Sequence, residues 1–148
     1  MVVKAGDTAL TLNTDYTVTY ASGRKNVGTY TVVVKMKGNY SGSKTVSFKI
    51  VPKGTSITKL VPASKAFTAK WAKQATQTTG YQIQYALNSK FTSGAKTVTI
   101  ASTKTVSKKI AKLKAGKKYY VHVRTYKKVG KATYYSAWSK AKTVTTKK

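Results

Sequence analysis

Apolar and polar residues alternate with period two along almost the whole chain. Tyr16-Thr17-Val18-Thr19-Tyr20 shows the pattern, and it returns over 29–37, 44–50, 67–71, 81–85, 96–100, 119–125 and 142–146. A period of two places alternate side chains on opposite faces of a pleated strand. The runs are rich in Val, Thr and Tyr, the β-branched and aromatic types that suit a half-buried sheet. Turn residues separate them, as at Ser22-Gly23, Gly38-Asn39, Ser41-Gly42 and Ser93-Gly94. Only 108–114 offers a helical spacing, with Ile110 and Leu113 three apart, and the Thr/Val alternation before it favours a strand that ends in a turn. The chain is therefore expected to be all-β and built as sandwiches.

Pro52-Lys53-Gly54-Thr55 breaks the alternation most clearly. Proline cannot donate to a central ladder, so the sequence reads as a first module at 1–52, a linker at 53–56 and a second module at 57–148. The second is long enough for a full sandwich. The first is short for one and reads as four strands of a larger module, its opening strand upstream of Met1 or replaced by Met1 to Lys4. No secretory signal pattern follows Met1, so the chain is read as an internal fragment whose export signals lie elsewhere. No apolar run is long enough to span a bilayer.

Charge narrows the partners. There are 29 Lys and Arg against 2 acids, a formal net charge of +27. Nearly every cation is lysine, since Arg24 and Arg124 are the only arginines. Such a field draws polyanions without naming one: anionic cell-wall polymer such as teichoic acid, acidic carbohydrate, anionic lipid or nucleic acid. Nucleic acid is disfavoured. Base readout leans on arginine, and these lysines are spread over every strand and loop instead of gathered on one face.

Catalytic chemistry has little to work with. Asp7 and Asp15 are the only side-chain carboxylates, His122 is the only histidine, and cysteine is absent. Hydrolysis needs a carboxylate pair, a histidine relay or a metal. Asp7, in Gly6-Asp7-Thr8, and Asp15, at a strand entry, read as local acceptors for backbone N–H groups. One histidine with two distant aspartates gives no zinc, iron or calcium site. The expectation is a protein with no catalytic residues, no cofactor and no metal. A Lys–Asn isopeptide cross-link, with Asp15 as its acid, is disfavoured because nothing there desolvates the carboxyl.

Two resemblances follow from particular residues. The second module carries Trp71 at the end of Ala66-Phe67-Thr68-Ala69-Lys70-Trp71, then Gly80-Tyr81-Gln82-Ile83-Gln84-Tyr85. Leu113-Lys114-Ala115-Gly116-Lys117-Lys118-Tyr119 leads into Tyr120-Val121-His122-Val123-Arg124, and Tyr135-Ser136-Ala137-Trp138-Ser139 precedes Thr143-Val144-Thr145. In order and spacing this resembles a fibronectin type III domain, with Ala115 and Lys117 at the Pro and Thr positions of its Leu-x-Pro-Gly-Thr-x-Tyr corner. The first module resembles the bacterial immunoglobulin-like repeats of Gram-positive surface proteins. That likeness rests on Asp15-Tyr16-Thr17-Val18-Thr19-Tyr20, on Lys25 to Val32, and on Lys37-Gly38-Asn39-Tyr40-Ser41-Gly42. The resemblances imply an extracytoplasmic spacer or presentation module beside other domains of a parent protein.

One surface constellation remains. With Tyr119, Val121, Val123 and Thr125 inward, Tyr120, His122, Arg124 and Tyr126 share the outer face of their strand. Gln82 and Gln84 lie on the same face of the neighbouring strand, and Trp138 joins them. The arrangement has two readings. It is either a cross-strand ladder with Arg124 stacked on Trp138 or a tyrosine, or an aromatic and amide platform for a glycan. The ladder is favoured, because exposed Tyr and Thr are ordinary on sandwiches.

Overall fold

The computed structural model describes residues 2–148. It divides into two compact units, Met1–Ile50 and Val51–Lys148. All regular secondary structure among the described residues is β-strand.

In the first unit a small hairpin pairs β1 (Lys4–Ala5) with β2 (Thr8–Ala9). Its turn is Gly6-Asp7, where Gly6 takes φ +58, a conformation that L side chains avoid. A three-stranded antiparallel sheet follows, ordered β3 (Tyr16–Tyr20), β4 (Gly28–Met36), β5 (Ser43–Ile50). The registers Tyr16↔Met36 and Val18↔Val34 put four apolar side chains on one face. That end of the face packs with Leu10, Val3, Ala5 and Tyr40. The other end is open, with Tyr20 45% and Val46 44% exposed. Four strands of a larger module are expected here from the sequence; the described residues show this sheet of three and the short hairpin, and the part of the expectation resting on Met1 lies outside the described residues. A core this small protects its hydrogen bonds poorly. Amides of β4 should exchange faster than those of the central strand of the second unit, and equal protection would contradict this account of the packing.

The second unit is a sandwich of two antiparallel sheets. One is ordered β10 (Ser107–Ile110), β7 (Ala66–Trp71), β6 (Ile57–Ala63). The other is built on β11 (Lys118–Val129), flanked on one side by β8 (Gly80–Ala86) and then β9 (Lys96–Ile100). On its other side β11 pairs twice. Its first residues meet β13 (Lys142–Thr145), and its last meet β12 (Ala132–Tyr135). The inner faces supply Phe67, Ala69, Trp71, Tyr81, Ile83, Tyr85, Tyr119, Val121 and Val123, all buried in one cluster. Leu113 packs against this cluster only partly buried. Tyr119 folds its hydroxyl onto the backbone, where it accepts the Lys114 N–H at 3.1 Å, the tyrosine corner expected from the sequence.

The stretch read as a linker, and Pro52 just before it, are bound to this second unit. Pro52 is buried, the Thr125 hydroxyl donates to the Lys53 carbonyl at 2.8 Å, and the Thr55 hydroxyl donates to the Ala72 carbonyl. Two edge strands carry lysines at core-facing register positions, Lys96 opposite Tyr85 and Lys108 opposite Ala69. Charge on edge strands of this kind discourages edge-to-edge pairing with another chain.

Candidate functional site: an aromatic and guanidinium stack

The chain between β12 and β13 builds this site. β12 leaves β11 after Tyr135↔Tyr126, and β13 rejoins it at Lys142↔Val121. The backbone groups of β11 between those points need other partners. Two serines supply them. Ser136 accepts the Thr125 N–H on its Oγ at 3.1 Å and donates its own N–H to the Thr125 carbonyl at 3.1 Å. Ser139 does the same at Val123, with distances of 3.1 and 2.8 Å. This irregular segment holds Trp138 over the outer face of β11.

Five planar groups then stack in a row. Phe91 lies on His122 with ring centroids 3.8 Å apart and planes 7° apart. His122 lies on Trp138 at 4.1 Å and 7°. The Arg124 guanidinium sits 4.2 Å from the Trp138 centroid on one side and 3.9 Å from the Tyr135 centroid on the other. Tyr126 meets Tyr135 at a tilt, 6.3 Å between centroids. Each cation–π contact contributes about 0.5–2 kcal/mol as desolvation increases.

The glutamines complete the arrangement from β8. The Gln82 Oε1 accepts from Arg124 Nε at 3.0 Å and from its terminal nitrogen at 2.7 Å, and the Gln82 amide nitrogen donates to Thr99 Oγ1 at 3.0 Å. The Gln84 Oε1 lies 2.7 Å from His122 Nε2, and its amide nitrogen donates to Thr97 Oγ1 at 3.3 Å. A carbonyl acceptor at Nε2 assigns the proton to that nitrogen. Both amides are therefore engaged at both ends, across three strands.

Burial and the neighbouring Arg124 charge lower the His122 pKa to about 4. Burial also lowers that of Arg124, which stays charged. The unfolded chain protonates its histidine near pH 6.5, so between 6.5 and 4 it binds more protons than the fold does. Stability is then full above pH 6.5 and declines as pH falls through that window. The loss should be about 1–2 kcal/mol once solvent at the ring edge is allowed for. With only two side-chain carboxylates in the chain, few other groups contribute to an acid limb. Urea melts from pH 7.5 to 3.5 should show that limb, and His122→Phe should flatten it. An unchanged limb in the variant would contradict the assignment.

The sequence placed Gln82, Gln84, Tyr120, His122, Arg124, Tyr126 and Trp138 on one face. The structure brings six of them into the stack or its hydrogen bonds. Tyr120 stands apart, with the Lys118 ammonium 5.4 Å from its ring centroid. His122 is 8% and Tyr126 3% exposed, covered by neighbouring rings, while Gln82, Gln84, Arg124 and Trp138 are half-buried. The alternation does not mark Phe91, Tyr135, Ser136 or Ser139 as members. The spacing Tyr-Ser-x-Trp-Ser is the available signal for three of them.

Comparison with known proteins fits this architecture. Residues 51–142 match the model of the fibronectin type III domain. No curated protein matches the chain. Among solved structures, three fibronectin type III domains (FN1–FN3) of chicken CNTN1 are 22% identical with a TM-score of 0.53, covering 83% of this chain and 44% of that one. The fn3 domain of human contactin 1 is 18% identical with a TM-score of 0.54, covering 75% and 94%. A beta-1,2-glucanase from Parabacteroides distasonis is 14% identical with a TM-score of 0.53, covering 80% of this chain but 18% of the enzyme. At these identities the likeness concerns the fold alone. The family match spans more than half of the sequence and covers β6 to β12 of the sandwich described above: the chain belongs to the fibronectin type III domain family.

Proposed function

We propose that the chain is a non-catalytic structural and presentation module of a bacterial cell-surface or secreted protein, working outside the cytoplasm beside other domains of its parent. One observation supports this most strongly. The single face that gathers histidine, arginine, amides and aromatic rings is closed upon itself. Its ring faces are stacked on one another, and the amides of Gln82 and Gln84 are bonded at both ends. A face of this kind stiffens a sheet and leaves few groups for a sugar or a substrate. The test is an NMR titration with neutral wall oligosaccharides. The proposal expects no saturable shifts in the Gln82, Gln84 or Arg124 side-chain resonances. Saturable shifts there would favour the glycan platform.

A second reading, adhesion to anionic wall polymer through dispersed lysines, has its own support. Lys59 lies directly opposite Lys70 in the ladder, and Lys109 belongs to the same outer face. No acidic side chain occurs anywhere in the second unit. Like charges facing each other destabilise a sheet. The melting temperature should therefore rise as sodium chloride goes from about 0.01 to 0.15 M, where the Debye length shortens from about 30 to about 8 Å. Teichoic acid should raise it further at low salt, with a gain that fades as salt increases. A melting temperature flat in salt would sink this reading.

A further inference from the structure

A cavity of about 220 Å³ lies at one end of the sandwich, between the strand pair β8–β9 and the turn that precedes β11. It is smaller than the ~300–1,000 Å³ typical of ligand pockets, so its occupant is one small group. Tyr85, Leu87 and Leu113 line it together with Lys96, Lys112 and Lys114. Three exposed lysines thus line one concavity in a unit whose sequence holds no acidic side chain.

The rim is held by its backbone. Lys112 takes φ +59, in the left-handed region that favours glycine or asparagine. The next residue, Leu113, donates its N–H to the Lys65 carbonyl at 2.9 Å. Lys114 donates its N–H to the Tyr119 hydroxyl and accepts the Thr146 hydroxyl at 2.7 Å on its carbonyl. Across the cavity Lys96 sits in the ladder opposite Tyr85, at a position whose neighbours Val98 and Ile100 pack on the core side. Strain at a non-glycine residue persists where the surroundings fix it, and it concentrates at binding sites. The backbone of the rim is fixed, while the exposed lysine side chains can turn toward an anion at some cost in side-chain entropy.

We propose that this cavity binds a sugar bearing a carboxylate or a phosphate. Its anionic group meets Lys96, Lys112 and Lys114, and the apolar face of its ring rests on Tyr85, Leu87 and Leu113. This site differs from diffuse attraction by the lysines at large, because it needs three particular lysines and an apolar wall.

The experiment is an NMR titration of the whole chain with glucuronic acid, glucose 6-phosphate and glucose. Both anions should shift the amides of Gly94, Lys96 and 112–114 saturably at millimolar concentration, and glucose should not. Lys96→Gln and Lys112→Asn should each weaken binding about tenfold, the scale of one lost charged hydrogen bond. Asn tolerates the left-handed backbone, so Lys112→Asn should leave the melting temperature unchanged or higher. That separates loss of the site from loss of the fold. Lys59→Gln and Lys70→Gln, on the outer face of the other sheet, should bind as the parent does. Shifts spread over lysines of every strand, equal weakening by all four variants, equal binding of glucose, or no binding at all would each overturn the proposal. Dispersed adhesion to polymer could still hold in every one of those cases.

Discussion

Gly80→Ala is expected to destabilise the second unit by more than about 3 kcal/mol, beyond the usual range for an overpacked core. The cause is space and not backbone conformation, because Gly80 does not take a positive φ. A Cβ built there would collide with the Ile100 carbonyl oxygen and reach 3.1 Å from both the Ile100 carbonyl carbon and the Ser102 nitrogen. These are backbone atoms of the segment where β9 ends, and they cannot rotate aside as a flexible side chain could. Relief would require β8 and β9 to separate beside Tyr81↔Ile100. A domain near this size loses roughly 4–8 °C per kcal/mol, so the melting temperature should fall by more than about 12 °C. A fall of only one or two degrees would mean that the two strands do not approach so closely.

Trp138→Ala should have the next largest effect, about 2–3 kcal/mol. The indole is only half-buried, which places it below the range for a fully buried tryptophan. Its two faces are both in use, against His122 and Arg124. Removing it exposes a neutral histidine, takes one aromatic neighbour from the guanidinium, and loosens the segment from Ser136 to Ser139. Hydrogen exchange should quicken most in β12 and in the middle of β11, with β7 little changed. By contrast Tyr135, exposed on its outer side, should cost less on truncation, about 1 kcal/mol. Equal losses for the two, or a uniform loss of protection over both sheets, would contradict a local brace.

The fold was legible because alternation survives wherever one face meets a core. Trp71, Tyr81, Ile83, Tyr119, Val121 and Val123 follow directly from parity, and all are buried. The same parity set Gln82 and Gln84 beside His122 and Arg124, and the registers His122↔Gln84 and Arg124↔Gln82 pair them. Parity fails where the chain leaves the strand. Tyr135 and Trp138 are three residues apart, so an unbroken strand would send them to opposite faces. They flank the same guanidinium because the serine-bonded segment between β12 and β13 resets the phase. Phe91 is harder still. It stands in a loop with φ +54, a conformation unusual for an aromatic residue, and its place over His122 depends on a contact about thirty residues away in sequence. Burial was misjudged for a related reason: Tyr126 is outward by parity, yet Tyr135 on the partner strand covers it.

The central claim is that the stack is a structural brace, with its members stabilising one another. A double-mutant cycle on Arg124 and Trp138 tests it most directly, using Arg124→Ala, Trp138→Ala and the pair under urea at pH 7. The guanidinium lies 4.2 Å from the indole centroid, and a partly desolvated cation–π contact predicts a favourable coupling of about 1 kcal/mol or more. Strict additivity, with coupling below about 0.3 kcal/mol, would show that the two side chains merely lie together and would contradict the brace.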